Sequence, residues 1–258
     1  MVEMYTGTPG SGKSLHVAER IYRRMMKGYT VIANFEINLD VFPPKKKRLG
    51  KFVFIDNMDL SPDGLMQYSL EHIPRDKFGR VKEGELLLVI DECQLLFNTR
   101  DWNVKTRMKW CTFFSQHRKF SYDIILVTQF DRMIDRQIRA MVEYEVKHRK
   151  IGNFGAAGFI ISWITRILSF GQNYGLFIAI KFWYGVHARL GKEFFQAKPR
   201  YMQMYNSYKV FASAQDGGAQ AGDPPKPGQT PVTDEPPTEA APLPDEPPEE
   251  VGSGGEAP

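Results

Sequence analysis

An eight-residue stretch near the start, "GTPGSGKS", constrains this chain more than any other part of its sequence. It matches the phosphate-loop pattern in full, with a glycine, four further residues, and then glycine, lysine and serine. The apolar run "VEMYT" before it predicts a buried strand, and "KSLHVAERIYRRMM" after it predicts a helix. A loop in this position indicates an α/β fold with a phosphate at the helix N-terminus. A glycine-rich turn without a ligand is the alternative interpretation.

Each residue type in the loop has an expected task. The glycines let the backbone wrap closely, so that successive N–H groups point at phosphate oxygens. Lys13 is expected to reach the β- and γ-phosphates of ATP, and the Ser14 hydroxyl is expected to bind Mg²⁺. The sequence therefore predicts a nucleotide-binding loop made of Gly7, Thr8, Pro9, Gly10, Ser11, Gly12, Lys13 and Ser14.

The pattern of apolar runs predicts the rest of the core. Strand-length runs follow at "TVIANF", "KFVFID", "ELLLVID" and "YDIILVTQ". Helical spacing relates Leu15, Ala18, Tyr22 and Met25 or Met26 in the first helix, and Val104, Met108, Cys111 and Phe114 in a later one. Strands rich in Val, Ile and Leu between helices predict a mostly parallel sheet flanked by helices, the fold class of an α/β P-loop NTPase.

Polar residues at the ends of two predicted strands complete the candidate site. Asp91 ends "LLLVID" and is expected to hold Mg²⁺, while Glu92 is a candidate general base that polarises the attacking water. Gln129 ends "ILVTQ" on the same sheet edge and is a candidate for sensing the γ-phosphate or orienting water. A helix-start acid is the alternative for Glu92, and a plain strand-ending polar residue is the alternative for Gln129.

Arginines are candidates for a cation supplied by a neighbouring subunit. Arg118, Arg136 and Arg139 are considered, and Arg139 is taken as the catalytic candidate, with solvated surface charge as the alternative. The histidines show no metal-binding spacing with Cys or acids and receive no chemical role. The two cysteines, Cys93 and Cys111, are expected to be reduced core residues.

Three domains are predicted: a P-loop ATPase domain at 1–150, an apolar helix and strand-rich extension at 151–212, and a disordered tail at 213–258. In the extension, "GAAGFIISWITRILSFG" is interrupted by Arg166 and falls short of the roughly 20 apolar residues of a membrane span. A buried or partner-facing helix, a membrane-surface helix and a span all stay open. The strands and turns that follow end in aromatics expected to pack back onto the domain.

Charge is distributed unevenly along the chain. Residues 213–258 hold ten acids and one base in a Pro- and Gly-rich stretch, which predicts an extended acidic tether or, alternatively, a mimic of nucleic acid. The other 212 residues carry a net charge of +13, which favours nucleic acid, anionic lipid or polyphosphate as a partner. The basic run "PPKKKRLGK" at 43–51 is expected either to attract DNA phosphates or lipid headgroups or to be a solvated loop. The N-terminus lacks a signal-peptide pattern, so the N-terminal part is expected to stay in the cytoplasm.

Taken together, five blocks resemble the ATPase domain of the zonula occludens toxin family, the assembly proteins of filamentous phages. They are "GTPGSGKS", "VIANF", "LLLVIDECQ", "FFSQHRKFSYDIILVTQ" and "IDRQIRAMVE". The resemblance covers about residues 1–150, and the strands to about 210. It implies a P-loop ATPase of the additional-strand motor class in which Gly12, Lys13, Ser14 and Asp91 bind nucleotide and magnesium and Glu92 is the catalytic base. Arg118 and Arg139 match basic positions of the family loosely.

The resemblance also implies a place of action. It predicts an oligomeric motor on the cytoplasmic face of the host inner membrane that hydrolyses ATP with Mg²⁺. Its partners would be phage assembly and coat proteins and single-stranded DNA. The chain departs from the family at Arg166 and in its acidic tail, where members typically have a clear membrane span and a further domain. A nucleotide-regulated membrane-docking scaffold with little hydrolysis is the alternative function, and a small-molecule kinase is a third.

Overall fold

The computed structural model describes residues 1–44, 47–98, 104–153 and 175–205. Within these ranges the strands and α-helices follow one another in the order β1 (Val2–Thr6), α1 (Lys13–Met26), β2 (Thr30–Ala33), β3 (Phe52–Phe54), α2 (Pro62–His72), β4 (Leu86–Ile90), α3 (Val104–Gln116), β5 (Tyr122–Val127), α4 (Arg136–Arg139), β6 (Tyr144–Lys150), β7 (Leu176–Trp183), β8 (Arg189–Gln196) and α5 (Pro199–Met204).

The described strands form one eight-stranded sheet in the order β3-β2-β4-β5-β1-β6-β7-β8. The six strands from β3 to β6 run parallel, and β7 and β8 are antiparallel to their neighbours. The predicted fold class, a mostly parallel α/β sheet of the P-loop NTPase type, is confirmed. Because parallel strands share a direction, the ends of β1, β2, β4 and β5 meet at one edge, which we call the carboxyl edge.

Strand β5 lies between the loop-bearing strand β1 and the strand β4 that leads into Asp91. Its register places Val2 beside Ile124 on one side and Leu88 beside Ile124 on the other.

The central strands β1, β2, β4 and β5 are buried on both faces, as continuous apolar strands require. Strand β4 shows this with a period of two: Leu86, Leu88 and Ile90 contact the cluster under α2 and α3, while Leu87 and Val89 contact the cluster under α1. The loop and its helix are thus attached to strands that are buried on both faces.

The buried faces of two helices differ in phase from the predicted ones. In α1, Val17 and Ile21 are buried with Ala18 and Met25, while Leu15, Tyr22 and Met26 are half-buried beside them. In α3 the buried set is Trp110, Phe113 and Phe114, at i, i+3 and i+4. Met108, expected on the same side as Phe114, is instead 64% exposed because it lies outside this stripe, and Cys111 is half-buried. Cys93 is buried and reduced, as predicted.

Helix α2 was not predicted. Ser61 caps it by accepting a hydrogen bond from the Gly64 N–H at 3.2 Å, and Pro62 occupies the first turn. This Ser-Pro-Asp start is a recognisable helix signal that the apolar pattern did not reveal. Several strands are also shorter than predicted, for example β3 at Phe52–Phe54.

The region after β6 is described in part. The predicted apolar segment lies largely at 154–174, outside the described residues. Across the part of the chain that the structure describes, no helix combines the length and apolar character needed to cross a membrane. Strands β7 and β8 extend the main sheet, and α5 follows them. Tyr201 and Met204 of α5 are buried against α1, so the chain after β8 packs back onto the domain as expected. The boundaries of the three domains stay a prediction.

Candidate active site

The phosphate loop joins β1 to α1 at the carboxyl edge. Gly7, Gly10 and Gly12 have φ values of 146°, 72° and 96°, a backbone region that L side chains rarely adopt. A Cβ on Gly12 would also lie 2.6 Å from the Phe177 ring on β7. Gly12 precedes α1 without a side-chain cap, so backbone N–H groups at this helix start are available to an anion.

Lys13 folds back across its own loop. Its Nζ donates hydrogen bonds to the carbonyl oxygens of Gly7 at 2.6 Å and Thr8 at 3.3 Å. Burial lowers the pKa of Lys13, and the negative charges of Glu92 and Asp91 act in the opposite direction. The ammonium therefore lies at the centre of the loop and within electrostatic reach of the two acids after β4.

Asn34 fixes the position of Asp91. It follows β2, is 1% exposed, and accepts a hydrogen bond from the Asp91 N–H at 2.7 Å. Its Nδ2 donates to the Asp91 carbonyl oxygen at 2.9 Å and to Asn57 Oδ1 at 2.8 Å. The side-chain amide thus takes the place of a backbone partner beyond the end of the β2–β4 ladder. The run "VIANF" predicts a strand, but it does not indicate a role for Asn34.

Asp91 itself is buried, and its carboxylate accepts hydrogen bonds from the Glu92 N–H at 2.9 Å and from the Tyr205 hydroxyl. Burial raises the pKa of Asp91, and the bond from Tyr205 opposes the rise. Ser14 lies near the same tyrosine. The two residues predicted to hold magnesium, Ser14 and Asp91, are therefore brought together, with Tyr205 between them.

Glu92 occupies a strained position next to Asp91. Its φ of 45° is left-handed, which is unusual for a glutamate and common at functional sites. It precedes a short 3-10 helix, Cys93–Leu95, but makes no side-chain cap bond there. Its carboxylate instead accepts a hydrogen bond from Gln94. Glu92 therefore lies at a helix start, as the alternative interpretation expects, and its role as general base stays a prediction.

Gln129 reaches the loop through its backbone. Its carbonyl oxygen accepts a hydrogen bond from the Gly7 N–H at 3.2 Å, and its side chain is half-buried. Thr128, before it, is fully buried. Gln129 thus lies next to the loop, and its role in sensing the γ-phosphate or orienting water stays a prediction.

The arginine candidates lie away from these contacts. Arg118 is exposed just before β5, at the opposite edge of the sheet from the loop, and pairs with Glu143 at 3.3 Å. Arg139 in α4 pairs with Asp131 at 3.7 Å. Neither pair includes a residue of the loop, so a catalytic role for Arg139 requires a neighbouring copy of the chain and stays a prediction. Arg136, in α4 as well, is exposed.

The residues present fit a bound nucleotide phosphate. The loop has left-handed glycines where a Cβ would obstruct it, and the Ser11 hydroxyl is buried without a hydrogen-bond partner. Lys13 supplies a cation whose present partners are loop carbonyls. For magnesium, a hydroxyl and a carboxylate are oxygen ligands of the type that this ion prefers.

A buried histidine pair lies behind the loop, and the sequence indicates no chemical role for it. His16 Nδ1 and His148 Nε2 are 2.9 Å apart, and both rings pack on Tyr5. His148 Nδ1 lies 3.2 Å from the Thr6 carbonyl oxygen, directly before the loop. Among the described residues, no cluster of three or more His, Cys, Asp or Glu side chains forms a candidate metal site.

Comparison with known sequences points to one family. Residues 1–165 match the family model described as zonular occludens toxin (Zot). The Gene 1 protein of Salmonella phage IKe is 31% identical over 175 residues, which cover 66% of this chain and 46% of that protein. The Gene 1 protein of Enterobacteria phage M13 is 33% identical over 153 residues, covering 58% of this chain and 42% of that protein. The chain thus spans less than half the length of these relatives.

Solved structures give more distant similarities. The N-terminal domain of zonular occludens toxin from Neisseria meningitidis covers 80% of this chain and 98% of its own, with a TM-score of 0.46 at 15% identity. The genome packaging NTPase B204 from Sulfolobus turreted icosahedral virus 2, in complex with ATP-gammaS, covers 75% of this chain and 95% of its own, with a TM-score of 0.43 at 13% identity.

Proposed function

The chain belongs to the zonular occludens toxin (Zot) family, and from that premise we propose that it is an ATP-hydrolysing motor for the assembly and export of filamentous phage particles with their single-stranded DNA. The observation that carries the proposal is that Lys13 lies at the same carboxyl edge as Asp91 and Glu92, close enough for their negative charges to raise its pKa against the effect of burial. A loop that merely turned the chain would need neither the lysine nor the two acids opposite it.

Each residue of the site has a separate role in the proposed hydrolysis. The loop N–H groups and Lys13 bind and neutralise the phosphates, while Ser14 and Asp91 would hold Mg²⁺. Bound there, the ion supplies charge neutralisation on the phosphate oxygens. Glu92 accepts a proton from the attacking water, and Asn34 holds the backbone of Asp91 beside the end of β2.

A single substitution separates the motor from the scaffold alternative. Glu92→Gln removes the base and keeps the shape, so we expect nucleotide binding within about twofold of the parent and hydrolysis reduced by a factor of about 10²–10⁴. Binding of a fluorescent ATP analogue and release of inorganic phosphate measure the two. The control is Glu83→Gln, an exposed acid, which should leave both unchanged.

Two outcomes would contradict the motor. A parent protein that binds nucleotide but releases no phosphate, alone or with membranes or DNA present, would favour the nucleotide-regulated scaffold. Phosphate transferred to an acceptor, with none released to water, would favour the kinase.

The partners and location belong to the same proposal. The +13 net charge of residues 1–212 supports contact with single-stranded DNA or with anionic lipid at the cytoplasmic face of the host inner membrane. We propose that the motor is a homo-oligomer that also contacts phage assembly and coat proteins. DNA affinity should fall steeply as salt rises from 50 to 200 mM if phosphate contacts dominate. Affinity that is indifferent to salt would contradict the DNA part.

A further inference from the structure

Tyr205 occupies the space between the two residues that the proposed function assigns to magnesium. Its hydroxyl donates a hydrogen bond to Asp91 Oδ2, and the Ser14 side chain lies near the same tyrosine. A hydroxyl bonded to this carboxylate lies within about 3 Å of the oxygen that would bind the ion. A magnesium ion with oxygen ligands at about 2.1 Å would need the same space, so the tyrosine and the ion exclude one another.

The tyrosine is held in place by contacts beyond its hydroxyl. Its ring meets the edge of Phe35, which follows β2, with centroids 4.7 Å apart. The preceding residue, Met204, is 1% exposed, and its carbonyl oxygen accepts a hydrogen bond from the Asn38 N–H at 2.9 Å. Tyr205 is therefore directed at Asp91 by the packing around it.

Helix α5 anchors this arrangement to the loop helix. Tyr201 is buried and packs edge-on against Tyr22 of α1, with centroids 5.7 Å apart. The Arg200 guanidinium lies over the Tyr22 ring, 5.6 Å from its centroid. The segment Pro199–Tyr205 therefore lies along α1 and ends in the metal position.

We propose that Tyr205 is an internal stopper of the magnesium position, which must swing away from Ser14 and Asp91 when magnesium enters with the nucleotide. This inference rests on the proposed function. Without metal, the tyrosine satisfies a buried carboxylate that would otherwise lack a donor at Oδ2. Metal entry replaces that bond, so magnesium affinity is reduced by the strength of the tyrosine contact.

The test compares the magnesium requirement of nucleotide binding in two hydroxyl deletions. Tyr205→Phe removes the competing bond and keeps the ring against Phe35. Tyr201→Phe removes a hydroxyl from the same segment without touching Ser14 or Asp91 and is the control. Binding of a fluorescent ADP analogue to the full chain is titrated with magnesium, starting from a chelated sample.

Magnesium is expected to increase the affinity for the analogue, and Tyr205→Phe should lower by about tenfold the magnesium concentration at which half of this increase is reached. A tenfold change is the equivalent of one hydrogen bond to a charged group. Its affinity for the analogue without magnesium should stay within about twofold of the parent, because the phosphate loop is unchanged. Tyr201→Phe should match the parent in both measurements.

Two results overturn different claims. If Tyr205→Phe binds the analogue with the magnesium requirement of the parent, or needs more magnesium, the stopper is wrong while the nucleotide site stands. If the parent and both variants, checked for cooperative thermal unfolding, bind no nucleotide with or without magnesium, the proposed function fails and the stopper fails with it.

Discussion

At the scale of single residues, the site is built from side chains whose ordinary behaviour is altered by burial. Asp91 lies under a tyrosine and beside an asparagine, and burial raises its pKa. Glu92 takes a left-handed backbone that only a well-determined surrounding can hold. Lys13 donates to the carbonyls of its own loop. The buried carboxylate of Asp91 and the left-handed backbone of Glu92 each cost free energy that a purely structural turn would avoid.

The histidine pair predicts a pH dependence of stability. Burial, reinforced by His148, lowers the pKa of His16 to about 2, and burial lowers that of His148 to about 4. Both folded values lie below the unfolded value, so the neutral rings contribute stability that is present above pH of about 6.5 and is lost as pH falls toward 4. By pH 5 the loss reaches roughly 2 kcal/mol for each ring.

Urea unfolding of the parent and of His148→Gln between pH 7 and pH 5 checks this dependence. The variant should lose about half of the parent's pH sensitivity, and His187→Gln, on an exposed turn, should lose none. The groups that face the pair include Glu193, 3.8 Å from His16, and the cations Arg20, Arg23 and Lys13. Equal pH sensitivity in the parent and His148→Gln would contradict the burial account.

At the scale of elements, the site depends on how β2 and β4 end. The β2–β4 ladder runs from Thr30–Leu86 to Ala33–Val89, and the Asn34 side chain continues it with two hydrogen bonds to the backbone of Asp91. This places the acid at the carboxyl edge without a further strand residue. The end of β4 is therefore positioned by a side chain of another element.

Asn34→Ala should destabilise the protein by about 2–3 kcal/mol, because it leaves the buried N–H and carbonyl of Asp91 without partners. It should also weaken magnesium-dependent nucleotide binding. Urea unfolding and analogue binding measure the two effects. Asn57→Ala is the matched control: it removes the outer partner of Asn34 and should cost less than about 1 kcal/mol. Similar losses for both variants would show that the ladder extension is not what positions Asp91.

At the scale of the whole molecule, strands β1 to β5 and the position of the loop and of the two acids at one edge of the sheet could be predicted from the sequence, whereas β6 was not predicted. Continuous apolar runs identify buried parallel strands, and their shared direction brings Asp91 and Glu92 to the edge where the loop lies. The closing aromatics were expected to pack back onto the domain, but the contact of Tyr205 with Asp91 could not be predicted, since the two residues lie 114 positions apart and are connected through β7, β8 and α5. The phase of α3 also escaped prediction, because several aromatic and apolar residues in it allow more than one stripe.

The central claim, hydrolysis at this loop, is tested most directly by phosphate release from magnesium-ATP by the purified chain without any acceptor. Lys13→Ala removes the cation that neutralises phosphate charge and should reduce the rate by at least about a hundredfold. Lys27→Ala, an exposed lysine just after α1, should hydrolyse at the parent's rate. Release by Lys13→Ala as fast as by the parent would contradict the account, because the reaction would then take place elsewhere.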